Sequence, residues 1–543
     1  MVGAWLSACG PSDAPRTDSQ TNWLRACDSD SQCGNLQCLC GLCSRPCDAS
    51  AACDGLAGAS CVSPEQTSAV ALCSGQVPPT NGMCLALCDN GNCAAGQMCV
   101  AGACNPLPEP TAYVTVSSSV LHQSLTGLGA TLAYVEQAVT SHPEKSALFQ
   151  ALFSNLGLDI LRLRNRYGYA GDDDLSTAGE LVRAATDGLG RSPIVMLASW
   201  SPPATLKANG SVLCQGNADT CTLTRLPSGE FDYAGFAAHW RSSLEAYADI
   251  GVVPDYIGIQ NNPDFVPAAW APGEGCRLLP TEGSTTEWVD GANVSVDYPG
   301  FAEALNTVID QLAGLSSPPK ITAPETSTLA SVADYMAELD LSRVDAIAHH
   351  LYGTDPSAID PAAFETVGEL GRSAVLPVFQ TEMESDGLGT AVLMHHALAV
   401  EGVSAYLHSI LIRPESMSLA GAGAMVTLGD EDFVLEAPYH VVRHFAYYTD
   451  PGWYRAEATS DVQELLVSAW MSPDETALTL VLVNTGSTDL ETQLDLEEPI
   501  LRSSTVTRTT FDGIERSAVL GALPPEGLVR IPGHAILTVA LHE

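Results

Sequence analysis

The chain has 543 residues, 46% of them hydrophobic, which allows two to four packed domains and excludes wholesale disorder. It carries 23 Lys and Arg against 64 Asp and Glu, a formal net charge of −41 at pH 7. A chain this acidic repels polyphosphate, so its charge argues against nucleic acid as a partner and against anionic membrane surfaces. The sequence has no apolar run of about 18 residues, so we predict no transmembrane helix.

Residues 1–26 are predicted to be a truncated export signal with a lipobox, followed by a flexible tether. Leu-Ser-Ala-Cys ending at Cys9 has the pattern of a bacterial lipobox, whose cysteine becomes the lipidated first residue. A full export signal has a basic start and an apolar segment, but none of the residues before Cys9 is basic. The Pro/Ser/Thr/Asp-rich stretch that follows is typical of a tether. Membrane attachment is therefore expected only through a lipidated Cys9.

Residues 27–104 are predicted to form a disulfide-rich module, because they contain 14 of the 18 cysteines. The close spacing of Cys38, Cys40 and Cys43 makes metal binding an alternative. The scattered spacings elsewhere and the lack of nearby histidine favour disulfides. Since disulfides need an oxidising compartment, we expect an exported protein, extracellular or on a bacterial cell surface. We interpret the module as a protease-resistant stalk, with binding of a surface or glycan as the alternative role.

Residues 112–440 alternate short apolar segments with helical patterns, which predicts a (β/α)8 TIM barrel. A doubly wound open sheet is the alternative. The predicted strands are 125–131, 160–163, 194–198, 256–259, 321–323, 346–351, 375–380 and 405–411. The predicted helices are 141–156, 175–188, 233–251, 300–312, 327–339, 361–370 and 389–400. No glycine-rich phosphate loop follows a strand, so we expect no nucleotide cofactor, and we predict no metal site.

Residues 441–543 lose the helical pattern and are predicted to form a small antiparallel β-sandwich. Its predicted strands are 462–469, 478–483, 490–496, 505–510 and 535–541. A further strand at about 112–122 is expected to join it.

Polar and aromatic side chains follow the predicted barrel strands, at the end where barrel enzymes place their catalytic groups. They are Arg162 on strand 2, Trp200 after strand 3, Asn261 and Asn262 after strand 4, His350 and Tyr352 after strand 6, and Glu382 after strand 7. Tryptophan stacks on sugar faces, and carboxylates perform acid–base or nucleophilic work on glycosidic bonds. The combination is typical of a carbohydrate-processing site.

Five motifs in this order resemble glycoside hydrolase family 30, which includes glucuronoxylanases and glucosylceramidases. They are Thr-Gly-Leu-Gly at 126–129, Trp-Ser-Pro-Pro at 200–203, Gln-Asn-Asn-Pro-Asp at 260–264, Thr-Glu at 381–382 and Pro-Gly-Trp-Tyr-Arg at 451–455. The resemblance covers about residues 112–543 and leaves out the cysteine-rich module. It implies a barrel with an associated β-sandwich and a retaining glycosidase with catalytic glutamates after strands 4 and 7.

Carried over residue by residue, the resemblance implies that Glu382 is the nucleophile and that Arg162 supports it. An exposed loop carboxylate is the alternative for Glu382, and Glu384 is its nearest competitor. The positions matching the family's substrate pocket are Trp200, Asn261, His350 and Tyr352. Arg413 follows strand 8 about where xylanases of the family bind a glucuronate side group, although a surface arginine is an equal interpretation.

The sequence departs from the family at Asn262, which stands where the family has its acid/base glutamate. A neutral amide cannot protonate a leaving alkoxide, and general acid catalysis contributes about 10²–10⁴ in rate. Three explanations remain open: another acid substitutes, the protein is a non-hydrolytic carbohydrate-binding pseudoenzyme, or the residue was replaced to trap substrate. The candidate substitutes are Asp264, Glu274, Glu282 and Glu384. We predict a monomeric hydrolase of a β-linked glycan or glycoside, with xylan favoured.

Overall fold

The computed structural model describes residues 23–543 except 26, 28, 55, 57–58, 63–80, 88–96, 101–102, 107–108, 173, 272, 290–291, 418–422 and 497–502. Contacts divide the chain into two compact units, Met1–Thr111 and Ala112–Glu543. Cys9 and most of the predicted signal and tether lie outside the described residues. In the described part of the chain, no helix combines the length and apolar character needed to span a membrane.

The N-terminal unit consists of short strands held together by disulfides. The strands are β1 (Gln37–Leu39), β2 (Leu42–Ser44), β3 (Pro46–Cys47), β4 (Ala59–Val62), β5 (Gly82–Leu87), β6 (Gln97–Val100) and β7 (Ala103–Pro106). The disulfides with both partners described are Cys27–Cys38, Cys33–Cys43, Cys47–Cys61 and Cys53–Cys84. The predicted disulfide-rich region is confirmed. Cys38, Cys40 and Cys43 are all oxidised to disulfides, which removes the metal-binding alternative for them.

The second unit contains the barrel and a large β-sheet. Its strands are β8 (Ala112–Ser124), β9 (Gly127–Leu132), β10 (Ile160–Arg164), β11 (Ile194–Ala198), β12 (Leu213–Cys214), β13 (Tyr256–Gly258), β14 (Gly273–Glu274), β15 (Gly283–Val289), β16 (Ala292–Tyr298), β17 (Lys320–Thr326), β18 (Ala346–His350), β19 (Val378–Glu382), β20 (Ala405–His408), β21 (Ile412–Pro414), β22 (Val426–Leu428), β23 (Phe433–Leu435), β24 (Tyr454–Ser460), β25 (Leu465–Met471), β26 (Ala477–Asn484), β27 (Leu490–Leu496), β28 (Ser503–Thr510), β29 (Ala518–Gly521), β30 (Leu528–Ile531) and β31 (Ala535–His542). Its helices are α1 (Glu136–Ser141), α2 (Lys145–Phe149), α3 (Ser176–Leu189), α4 (Tyr233–Asp249), α5 (Phe301–Leu312), α6 (Leu329–Met336), α7 (Pro361–Ala374), α8 (Gly387–His395) and α9 (Ala437–Ala446), with π-helical turns at Gln150–Asn155 and His396–Glu401.

Eight parallel strands close into a barrel, which confirms the TIM-barrel prediction over the open sheet. They are β9, β10, β11, β13, β17, β18, β19 and β20, and β20 pairs with β9 to complete the ring. Alternate residues of a strand face the interior. On β10, Ile160 belongs to an apolar cluster inside the barrel. Arg162 and Arg164 are two and four residues nearer the carboxyl end of the same strand, so they face the same interior. The interior therefore changes from apolar to charged along its axis.

The prediction of one continuous helix at 141–156 is wrong. Helix α1 ends at Ser141, α2 begins at Lys145, and a π-helical turn completes the segment. The physical reason is the His142–Pro143 step, because a residue before proline is disfavoured in the helical conformation. His142 has an extended backbone with ψ of 137°.

The C-terminal strands form a β-rich domain, as predicted, although the strands make one continuous nine-stranded sheet. Its order is β29-β28-β31-β26-β25-β24-β8-β27-β30. Strand β26 is buried on both faces. Leu480 and Leu482 pack into the core of the sheet, whereas Val481 and Val483 join the core shared with the barrel. Strands β24, β29 and β30 were not predicted. Helix α9 spans position 440, where the predicted boundary between barrel and sandwich lies. The domain boundaries stay predictions.

Candidate active site

Arg162 is the centre of the polar cluster at the carboxyl end of the barrel. Its side chain is fully buried. Nη1 donates to Glu382 Oε2 at 2.8 Å, and Nη2 donates to Asn261 Oδ1 at 2.6 Å and to Glu325 Oε2 at 3.1 Å. Burial lowers the pKa of Arg162, but Glu325 and Glu382 raise it by more, so the guanidinium stays charged. One cation thus holds two carboxylates and an amide.

Glu382, the predicted nucleophile, is the last residue of β19 and has a donor on each oxygen. Oε2 accepts from Arg162, and Oε1 accepts from the Tyr352 hydroxyl at 2.6 Å. The side chain is 8% exposed, so it is not fully closed off from solvent. The two donors fix the orientation of the carboxylate.

A β-bulge aims Glu382 into the barrel. Phe379 lies in the interior apolar cluster, so strict alternation along β19 would turn Glu382 outward. The register with β18 shifts, however, pairing His349 with Gln380 and His350 with Glu382. The extra residue in β19 returns Glu382 to the inward face, which is a common use of bulges beside active sites.

Glu325 is a site residue that the sequence reasoning missed. It is fully buried at a register shift in β17, with a left-handed φ of 59°. Burial raises its pKa, and Arg162 and Thr322 oppose that shift. A Cβ on Gly258 would lie 2.3 Å from Glu325 Oε1, so glycine at 258 leaves the room for this carboxylate. The signal that could have found Glu325 is its place near the end of strand 5, since the ends of the neighbouring strands carry the other site residues.

Asn262 is half-buried and is bonded to His350. Its backbone φ of 49° is left-handed, a conformation that asparagine tolerates better than most residues. Its N–H donates to the Glu325 carbonyl at 3.0 Å, and its Oδ1 lies 2.7 Å from His350 Nδ1. Burial and the charge on Arg162 hold the pKa of His350 well below its usual value, so this imidazole is neutral. Because an amide oxygen only accepts, His350 Nδ1–H is the donor in this hydrogen bond.

An aromatic pair lies beside Arg162. The guanidinium of Arg162 lies 4.5 Å from the ring centre of Trp200. Tyr134, which was not predicted, contacts Trp200 edge-on with ring centres 6.5 Å apart and is 49% exposed. Arg164 stacks on Tyr134 at 4.3 Å. An exposed ring beside a buried tryptophan gives a sugar an apolar surface to contact.

The four acids considered as substitutes each have partners of their own. Asp264 accepts from the backbone and hydroxyl of Ser327, Glu274 pairs with Arg164, Glu282 accepts from the Tyr233 hydroxyl, and Glu384 pairs with Arg413. Burial raises the pKa of Glu274, and Arg164 opposes that shift. Arg413 is on β21 with its side chain 12% exposed, and its ion pair is with Glu384 rather than with a member of the Arg162 cluster.

The loop after strand 3 carries a disulfide, Cys214–Cys221, while Cys276 is a buried free thiol. Strand β12 pairs Cys214 with Gly273 of β14. The disulfide therefore fixes the strand that lies beside Glu274.

The adjacent histidines on β18 face opposite sides, and both are buried. His350 faces the barrel interior, while His349 bonds Glu401 at 2.6 Å outside it. Both can be buried because a barrel strand is covered by helices on its outer face.

No protein-family model matches the sequence. The endo-1,6-beta-D-glucanase neg1 of Aspergillus fumigatus is 29% identical over 208 residues. This match covers 32% of the present chain and 42% of that protein, less than half of its length.

Solved structures share the fold of this chain. Xyn30A of Clostridium acetobutylicum, a subfamily 8 xylanase of glycoside hydrolase family 30, aligns with a TM-score of 0.59 and 19% identity over 79% of this chain and 99% of that chain. An endo-β-1,6-glucanase aligns with a TM-score of 0.57 and 12% identity over 81% and 94% of the two chains. A conserved exported protein of Bacteroides fragilis aligns with a TM-score of 0.62 and 13% identity over 79% and 100%. The resemblance to glycoside hydrolase family 30 is therefore confirmed at the level of the fold.

Proposed function

We propose that the chain is a retaining glycoside hydrolase in which Glu382 attacks the anomeric carbon. The observation that carries this proposal is the carboxylate of Glu382, oriented by Arg162 and Tyr352 at the carboxyl end of a barrel. Such a carboxylate forms a covalent glycosyl-enzyme, which an acceptor then releases with retained configuration. Asn262 occupies the acid/base position of this mechanism. The paired cysteines support an exported protein.

The substrate we propose is a β-linked glucosyl or xylosyl unit. Arg413, the residue matched to the glucuronate-binding arginine of xylanases, has its guanidinium paired with Glu384. The sequence relative is an endo-1,6-beta-D-glucanase, and the structural relatives include both a xylanase and an endo-β-1,6-glucanase. We therefore place β-linked glucose ahead of glucuronate-bearing xylan.

A glycan-binding pseudoenzyme is the second candidate, because Asn262 cannot transfer a proton. On this alternative, Trp200 and Tyr134 would hold a sugar that Glu382 never attacks. Both candidates bind a glycan, but only the hydrolase forms a covalent bond between Glu382 and the sugar.

Covalent trapping separates the two candidates. A 2,4-dinitrophenyl 2-deoxy-2-fluoro-β-glucoside, and its xyloside, should add one fluorosugar to the protein, and peptide mass spectrometry should locate it at Glu382. The label should be absent from Glu382→Gln and present in Glu245→Gln, a control on the exposed face of α4. Affinity for β-glucan or xylan in native gels, without any labelling of the unmodified protein, would favour the pseudoenzyme.

A further inference from the structure

The pocket combines one attacking carboxylate with a neutral amide. Asn262 is bonded to His350, and His350 pairs with Glu382 in the register of β18 and β19. The amide oxygen of Asn262 already accepts a hydrogen bond from His350. Its NH2 group is therefore the end that remains for a ligand. That group donates a hydrogen bond but has no proton to transfer.

The other carboxyls of this region, among the residues that the structure describes, are held by their own partners. Three are paired with arginines: Glu274 with Arg164, Glu384 with Arg413, and Glu325 with Arg162. Asp264 accepts two hydrogen bonds from Ser327, and Glu325 is fully buried behind Arg162. Each of these carboxyls is fixed by a donor, so none is placed as a free acid for a leaving group. These contacts favour attack on the anomeric carbon without protonation of the leaving group.

We infer, resting on the function proposed above, that this site takes glycosides whose leaving group departs as a stable anion. Aryl and acyl glycosides belong to this class, because a phenol or a carboxylic acid ionises far more readily than a sugar hydroxyl. The glycone is the β-linked sugar proposed above. Because the amide at 262 cannot protonate a leaving group, it restricts the aglycone to groups that leave as stable anions.

Both steps balance without a proton. In the first step a Glu382 oxygen bonds to the anomeric carbon, and the bond from that carbon to the aglycone breaks with its electron pair leaving on the phenolate or carboxylate oxygen. In the second step an anionic acceptor bonds to the same carbon, and the ester to Glu382 breaks to restore the carboxylate. Water is a poor acceptor here, because the site has no base at 262 to remove its proton. The glycosyl-enzyme should therefore accumulate.

The test compares leaving groups and adds an anionic acceptor to the intact protein. Aryl β-glucosides of graded phenol acidity, together with methyl β-glucoside, are assayed for kcat/KM with and without sodium azide. We expect kcat/KM to fall by about a hundredfold or more from the dinitrophenyl to the methyl glycoside, the range that a missing general acid costs. We also expect azide to raise kcat and yield the β-glucosyl azide. In Asn262→Glu both effects should shrink, and in Asn262→Gln both should persist.

The outcomes distinguish this inference from the proposed function. Trapping at Glu382 with equal rates on aryl and methyl glycosides and no glucosyl azide would overturn the inference and leave the hydrolase standing. Failure to trap Glu382 would overturn the proposed function and with it the inference. The azide product is measured on the unmodified protein, so the result does not depend on whether a variant folds.

Discussion

Arg162 shows how individual residues set the chemistry of the pocket. Its single positive charge is shared by Glu382, which is partly accessible, and Glu325, which is not. Glu325 draws part of that charge away from Glu382, the proposed nucleophile, and we regard Glu325 as a positioning residue acting through Arg162. A carboxylate fully neutralised by arginine would be a weaker nucleophile.

Glu325→Gln is expected to lower kcat on an aryl glycoside about tenfold or more, since hydrogen bonds to charged groups contribute about 1.5–3 kcal/mol. The rate of fluorosugar labelling at Glu382 should fall in parallel, while the affinity for glycan should change little. Glu245→Gln on α4 is the matched control. An unchanged labelling rate in a folded Glu325→Gln protein would contradict the role given to Glu325.

Asn262→Glu is expected to raise hydrolysis of β-linked glycans by about 10²–10⁴, because it places a carboxylic acid at the proposed acid/base position. His350 Nδ1–H would donate to the new carboxylate as it now does to the amide. Reducing-sugar release from β-1,6-glucan and from xylan measures the gain, with Asn262→Gln as the control. If the glutamate variant gained no more than the glutamine variant, the amide would not be the limiting feature.

The sequence predicted Arg162, Tyr352 and Glu382 as one group, because each lies at or just after the carboxyl end of a barrel strand. It missed Glu325 and Tyr134. Glu325 reaches Arg162 only through a register shift in β17, which a pattern of apolar residues does not reveal. Tyr134 lies in a loop with a positive φ, where periodicity carries no information.

Among the elements, β18 links two environments through adjacent histidines. His350 serves the pocket, while His349 faces outward and bonds Glu401 in the π-helical turn that continues α8. Burial lowers the pKa of His349, but the Glu401 carboxylate raises it by more, to above the ordinary value of 6.5. The pair therefore ties the helix layer to the barrel.

The His349–Glu401 pair predicts how stability depends on pH. A raised histidine pKa stabilises the fold fully below the unfolded value of 6.5, and the contribution is lost as pH rises through the higher folded pKa. A tenfold gain in the proton affinity of the histidine on folding corresponds to about 1.4 kcal/mol of stability. Melting temperatures of the native protein and of the double variant His349→Gln/Glu401→Gln should differ more at pH 5.5 than at pH 9.

His542→Gln, at an exposed position of β31, is the control for that comparison. It should shift the melting temperature equally at both pH values. An equal difference for the buried pair at pH 5.5 and pH 9 would show that the pair is not ionised in the folded protein.

At the scale of the whole molecule, the two units differ in what stabilises them. Met1–Thr111 relies on closely spaced disulfides around small apolar clusters, as short chains without a large core do. Ala112–Glu543 has an extensive core shared between the barrel and the sheet. Composition predicted this contrast, because cysteine density and apolar periodicity change near the same position. The single nine-stranded sheet was not predictable, since strand pairing over long sequence distances leaves no local pattern.

A protein comprising only residues 112–543 is expected to fold and keep the glycosidase activity proposed here. Its kcat/KM on a soluble aryl glycoside should match that of the full chain within about twofold, because every described contact of the pocket lies inside this unit. Circular dichroism and the same assay on both proteins provide the measurement. Loss of the fold in the shorter protein would mean that the units depend on each other for stability.

Strand β8 has a consequence for how the chain is made. It is the first strand of its unit, yet it pairs with β24 and β27, which are synthesised only near the end of the polypeptide. Until then both backbone edges of β8 lack a partner strand, and its apolar residues Ala112, Val114 and Val116 are uncovered. An exposed edge of this kind is open to pairing with another chain. Synthesis interrupted before β24 should therefore leave an aggregation-prone nascent product, and a barrel excised at position 440 should inherit the same exposed edge.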